Sequence, residues 1–199
     1  MNFKTHHVAG LVATEATLLQ FGQAPLSLVT PIALIGGYFI SILSDIDKPT
    51  SVIGQKLWIV SRSSSLLHIR HRTLTHSLLF TFLLWLFLKA LPIPEVLVWS
   101  LIMAFCSHWF IDMFNEHGVE LLWPLPIRFK ILPGFLAISS DDSIGQLIFR
   151  WGLILVQLIL LLALLHPIIL KTPIIGSLLD PSWSALVSYV PGPLKHWFH

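Results

Sequence analysis

The segment Leu26–Leu43, LSLVTPIALIGGYFISIL, carries no charged side chain. As an α-helix it is about 27 Å long, enough to cross the hydrocarbon core of a bilayer. Three further runs follow the same logic. Ser77–Leu91 is roughly 22 Å long and stops at Lys89 and Pro92. Pro94–Phe114 reaches about 31 Å, and Phe149–Leu170 is apolar apart from Arg150, Gln157 and His166. Val8–Phe21, interrupted by Glu15, reads as a membrane-embedded first helix, and Ile174–Val190, broken at Asp180-Pro181, as an interfacial or half-buried segment. The expected fold is therefore all-α: a polytopic helical membrane protein with about four to five transmembrane helices. Residues 1–170 form its membrane-embedded domain, and 171–199 an interfacial or loosely packed C-terminal segment. Pro31 and Gly36-Gly37 fall inside the first clear span, where such residues are tolerated and favour close helix approach.

Composition supports the same solvent. Only 11% of the 199 residues are charged and 55% are hydrophobic, against about 25% charged in an ordinary soluble domain. The net charge of +2 gives no argument for nucleic acid as a partner. Membrane lipids are the expected surroundings. The single cysteine, Cys106, sits in an apolar run and reads as a packing residue. The opening MNFKTHHVAG lacks the compact apolar core and cleavage site of a removable signal peptide.

Positive charge sets the expected orientation. The connection Ser44–Thr75 holds Lys48, Lys56, Arg62, Arg70 and Arg72, whereas the turn Pro92–Pro94 holds none. The positive-inside rule places the long connection in the cytoplasm. If Val8–Phe21 spans, Lys4 lies on that side too, as does the loop Asn115–Gln146 with Arg128 and Lys130. Within that loop, LLWPLPIRFKILPGF (Leu121–Phe135) mixes Trp, Pro, Phe and basic residues as interfacial segments do.

Under this topology four polar clusters, distant in sequence, meet at one membrane face: Thr5-His6-His7, Asp45-Ile46-Asp47, His71-Arg72-Thr73-Leu74-Thr75-His76, and Ser107-His108 with Asp112. His108 and Asp112 are an i, i+4 pair, so on a helix they point about 40° apart and lie roughly 6 Å apart along the axis. A carboxylate within a span costs about 2.5–3.5 kcal/mol at the bilayer centre, which calls for a partner or a cation. A His–Asp hydrogen bond that only stabilises helix packing satisfies the same demand. Asp45 and Asp47 can turn toward a common cation or simply solvate a helix exit beside Lys48. His71 and His76 would diverge by about 140° on a continuous helix. They converge if Thr75 or Thr73 caps the next helix, with His71 left in the preceding loop. Arg72 beside them suits an anionic substrate group or, equally, anchors the chain in the headgroup region. Pooled, His6, Asp45, Asp47, His71, His76, His108 and Asp112 form a mixed N/O set. That set suits Zn²⁺ first, with Mn²⁺ or Fe as alternatives, and fits one or two ions.

Taken in order, KTH, SDIDKP, HRTLTHS, SHWFIDMFNEHGVELLWPL and SIG resemble the YdjM-like family of bacterial inner-membrane metal-dependent hydrolases, whose hydrolase label rests on motifs. The resemblance covers about residues 1 to 155, and Gly118 with Leu122-Trp123-Pro124 completes its last motif. It implies a multi-pass protein of the bacterial inner membrane with the seven residues above as metal site. The activity expected from this set is hydrolysis by a metal-activated water at the cytoplasmic membrane face. Arg72 would steady developing negative charge, Asp47 or Asp45 would act as general base, and a small amphiphilic ester or phosphoester would be the substrate. The alternative from another class is a metal-binding membrane protein without hydrolase activity, a sensor or a transporter. A lipid-phosphate phosphatase with a histidine nucleophile fits poorly, because no arginine stands six residues before His108 and no Pro-Ser-Gly-His stretch occurs.

Overall fold

The computed structural model describes residues 1–66, 71–138, 144–170 and 188. Within them the protein is helical, and two isolated bridges, Asn115 with Ile138 and Val119 with Phe129, take the place of strands. Seven α-helices are present among the described residues: α1 Phe3–Gln20, α2 Val29–Ile40, α3 Val52–Lys56, α4 Trp58–Leu66, α5 Leu78–Lys89, α6 Glu95–Asp112 and α7 Ile144–Leu170. Two 3-10 turns, Leu43–Asp47 and Leu74–His76, precede α3 and α5.

The central element is α1, the helix with the least certain sequence signature. Asn2 caps it by accepting from the Lys4 amide at 2.8 Å. It packs against α2, α6 and α7, and it buries a largely polar stripe that includes Thr5, His6, His7, Thr14, Glu15 and Thr17. A helix that is polar inside and embedded in lipid must surround that stripe with other helices, because lipid satisfies none of its polar groups. Close approach makes this possible. A Cβ on Gly37 of α2 would overlap Thr14, and one on Gly10 of α1 would overlap Ser41, so the two backbones meet as the Gly36-Gly37 pair suggested. Halfway along the bundle the Glu15 carboxylate meets Gln157 Nε2 of α7 at 3.3 Å.

Apolar packing fills the rest. Leu18, Ala33, Val96, Leu97 and Leu164 join four helices at one level, and Leu88, Val98 and Ile102 seal α5 onto α6. Outward-facing Ile32, Ile35, Phe39, Phe82, Leu83, Phe87, Ile148, Trp151, Leu155 and Leu162 are exposed in the isolated chain. That apolar rind suits lipid as the outer solvent. Among the described residues three segments are long and apolar enough to cross a membrane: Val29–Asp47, Glu95–Asp112 and Ile144–Ile169. α5 has the same character but only 12 residues, and α1 supplies the polar centre. Of the expected four to five spans, three have the length and apolarity to cross, and α5 and α1 pack against them.

Three local expectations need correction. The last long helix starts at Ile144, not Phe149, and the polar Gln146 in its first turn is buried. The connection after α2 is not a plain loop but a 3-10 turn followed by α3 and α4. The cap of α5 is Ser77, whose hydroxyl accepts from the Phe80 amide at 3.1 Å, not Thr75 or Thr73. His76 consequently ends the preceding 3-10 turn instead of entering the helix. Arg70, the expected C-terminal segment Ile174–Val190 apart from Ser188, and the boundary at residue 171 lie outside the described residues.

Candidate metal centre

α1 begins, α2 ends, α5 begins and α6 ends at the same end of the bundle, and each element delivers one polar cluster there. His6 comes from the first turn of α1, Asp45 and Asp47 from the 3-10 turn after α2, and His76 from the turn before α5. His108 and Asp112 occupy the last turns of α6, and His71 and Arg72 the incoming chain. The convergence expected of the seven residues is what the tertiary structure builds for six of them. They form two groups, His6 with His108 and Asp112, and Asp45 with His71 and His76, each with its ligand atoms within 4.8 Å of one another.

The groups share walls. Asp45 Oδ1 lies 3.5 Å from His108 Nε2, 3.6 Å from His71 Nε2 and 3.9 Å from His76 Nε2. Asp112 Oδ1 lies 3.5 Å from His6 Nε2, and its Oδ2 lies 3.7 Å from His76 Nε2 and 4.0 Å from His108 Nε2. These gaps are too long for hydrogen bonds. Two donors each about 2.0–2.2 Å from one tetrahedral ion stand about 3.3–3.6 Å apart, which is the lower part of the observed range. His6, His76 and His108 are at most 1% exposed, yet their Nε2 atoms have no hydrogen-bond partner. Unpartnered buried polar atoms are rare and point to something that completes them. The imidazoles of His6 and His108 stack at 3.7 Å, and His76 meets His108 edge-on at 4.9 Å.

The other ring nitrogens explain why Nε2 is the one presented. His108 Nδ1 lies 2.6 Å from the Ser41 carbonyl, which only accepts, so Nδ1 carries the proton. His71 Nδ1 donates to Asp47 Oδ1 at 2.9 Å. Thr75 donates its hydroxyl to Asp47 Oδ2 at 2.9 Å and therefore accepts from His76 Nδ1 at 3.1 Å. In all three rings the Nε2 lone pair is left facing the carboxylates, the arrangement that orients metal-binding histidines. Both oxygens of Asp47 are engaged in this way, and Asp47 belongs to neither group. His76 is held well below the usual imidazole range, first by burial and then by the neighbouring His108 and His71 rings, so it is neutral at pH 7.

Arg72 sits between the cluster and the outside. Its Nε reaches Asp112 Oδ2 at 3.2 Å and its Nη1 donates to Asn115 Oδ1 at 3.1 Å. Its φ of 67° lies in the left-handed region that non-glycine residues avoid. The Arg72 carbonyl accepts from the Glu120 amide at 3.1 Å, which ties that conformation to the loop after α6. The terminal amine of Met1 also reaches Asp112, at 2.7 Å. His7, adjacent to His6, takes no part: it stacks on Tyr38 and bonds to the Tyr38 carbonyl at 2.7 Å.

Sequence reasoning missed three contributors. Thr75 and Asn115 lie inside motifs already singled out, HRTLTHS and SHWFIDMFNEHG, where a hydroxyl or amide beside a ligand is a readable hint. The Ser41 carbonyl has no side-chain signature and could be found only in three dimensions.

Comparison with known proteins adds an independent line. The family model described as YdjM inner membrane protein matches residues 1–174. The uncharacterized protein YvsG of Bacillus subtilis is 31% identical over 141 residues, 70% of this chain and 83% of the relative. The inner membrane protein YdjM of Escherichia coli is 38% identical over 95 residues, 45% of this chain and 48% of that protein, so the match spans about half of each. No solved structure matches.

Proposed function

The chain belongs to the YdjM family of inner membrane proteins, and on that premise we propose that it is a metal-dependent hydrolase acting at the cytoplasmic face of the bacterial inner membrane. The observation that carries the reading is the set of buried, unpartnered Nε2 atoms of His6, His76 and His108 facing Asp45 and Asp112. Two carboxylates, each shared between three imidazoles, suit two divalent cations, or one cation with the remaining residues around it. The mixed nitrogen and oxygen donors favour Zn²⁺, with Mn²⁺ or Fe as alternatives. Such an ion supplies Lewis acidity and a water that ionises near neutral pH.

The chain's own residues then have distinct tasks. Asp47 fixes the ring of His71 directly and that of His76 through Thr75, an orienting role that replaces the ligand role first considered for it. Asp45 turns Oδ1 to the imidazoles and, at 14% side-chain exposure, is the more accessible of the two shared carboxylates, so its other oxygen is the better-placed general base. Arg72, held by Asp112 and Asn115 at the outer edge, is positioned to meet negative charge developing on an ester or phosphoester. A small amphiphile is the substrate class suited to a site at headgroup depth.

Metal analysis of detergent-purified protein tests this first. Wild type should retain about one to two equivalents of divalent metal, and Asp112→Ala should lose them together with turnover of phosphoester and carboxyl-ester substrates. Full turnover after chelation would refute the reading. The buried Glu15–Gln157 pair at mid-bundle favours one alternative, a metal-binding protein that senses or moves the ion, since ionisable groups deep in a bilayer mark ion pathways in transporters. Zn²⁺ or Mn²⁺ flux into liposomes, abolished by Glu15→Gln, would establish it.

A further inference from the structure

Outside the buried cluster lies a cleft of about 400 Å³ lined by Lys48, His71, Arg72, His117, Gly118 and Arg128. None of these residues is acidic. The three permanent cations arrive from three separate segments: the end of the turn after α2, the chain entering α5, and the loop after α6. Gly118 holds the third in place. It adopts φ +62°, and a Cβ there would stand 2.6 Å from the Phe129 carbonyl, so only glycine allows Val119 and Phe129 to pair. That pairing brings Arg128 to the cleft. Arg128 is half-exposed and spends its Nε on the buried Glu120 carboxylate at 3.3 Å, which steadies its guanidinium. Lys48 is exposed, and the partly exposed His71 links the cleft floor to Asp45.

We propose that this cleft binds a phosphate group as the recognition element of the substrate. A carboxylate offers two oxygens in one plane, whereas a phosphate monoester carries close to two negative charges on tetrahedrally disposed oxygens. It can therefore accept from donors arriving in several directions. Three converging cations, two of them guanidinium groups, match the second geometry. The loop that carries Arg128 also exposes Leu122, Leu125, Ile127 and Ile131, a lip suited to the tail of a phosphorylated amphiphile. The proposal deepens the hydrolase reading and rests on it for the chemistry, but the cleft binds phosphate through its own cations.

The test measures ³¹P line broadening of inorganic phosphate, and separately of short-chain phosphatidic acid in phosphatidylcholine bicelles, by the full-length protein, with metal content read in parallel. Wild type should bind, and Lys48→Gln/Arg128→Gln should weaken phosphate affinity at least about tenfold with metal content unchanged. Lys48→Glu, at an exposed position, provides the same reading with Glu120 still paired. Tighter binding of phosphatidic acid than of inorganic phosphate assigns a lipid headgroup, and equal binding assigns a free phosphate; both support the cleft. Absence of binding by wild type, or affinity unchanged in both variants, overturns it. Phosphate binding lost in the variants while neither they nor wild type hold metal keeps the cleft and rejects the metal reading.

Discussion

Asp45 and Asp47 show how two carboxylates one residue apart acquire different roles. Asp45 Oδ1 faces three unshared lone pairs, while Asp47 accepts from His71 and Thr75. Asp45→Ala should therefore abolish metal retention, and Asp47→Asn should lower affinity by about 10–100-fold, the usual cost of losing an outer orienting group. Metal content after graded chelation separates the two. His76 gives a pH prediction. Its folded form resists protonation, whereas an unfolded histidine titrates at about 6.5. Below that pH the unfolded chain takes up a proton that the folded chain refuses, so stability falls as pH falls from 7 toward 5. The thermal midpoint of chelator-treated protein in detergent should drop over this window, and His76→Gln should flatten the slope.

At the scale of elements, α1 and α2 are joined through glycine, and α5 is started by a single hydroxyl. Gly37→Val places a branched side chain against Thr14 and forces the helices apart, at a cost of about 1–3 kcal/mol or more. Because His6 rides on α1 and Asp45 on the 3-10 turn that follows α2, metal retention should fall in parallel with the unfolding temperature. Ser77→Ala removes the cap of α5 and costs about 1 kcal/mol, but leaves the ligands untouched. Its melting point should drop while metal stoichiometry stays that of wild type. The long apolar helices were legible in sequence, because their uncharged stretches are long, whereas the short α3 and α4 in the charged connection were not. Nor were the helix ends: Ser77 and Thr75 carry the same chemical signal, and only the geometry of the 3-10 turn Leu74–His76 decides which one caps.

For the whole molecule, the arrangement commits the N-terminus, the turns Leu43–Asp47 and Leu74–His76 and the start of the loop after α6 to one end of the bundle. Cysteine labelling from either side in intact cells, at Thr50, at Glu116 and in the turn at Pro92, should place the first two on the cytoplasmic side and the third opposite, as the basic residues predict. A split of Thr50 from Glu116 would be incompatible with the shared site. Metal binding should also appear in global stability: at a free ion concentration 100 times the dissociation constant it adds about 2.7 kcal/mol, lost on chelation.

The sequence alone determined the solvent, the helical class and the candidate ligands, because hydrophobic length and ionisable side chains are properties of local segments. It also brought the clusters to one depth, since helices that cross a bilayer return their ends to its two faces. Only the tertiary structure decided which nitrogen of each ring faces inward, that Asp47 supports while Asp45 is shared, and that the polar α1 occupies the centre. Those outcomes depend on hydrogen bonds between residues far apart in the chain, including a backbone carbonyl at Ser41, and on how closely two glycines let helices approach. No local pattern encodes either.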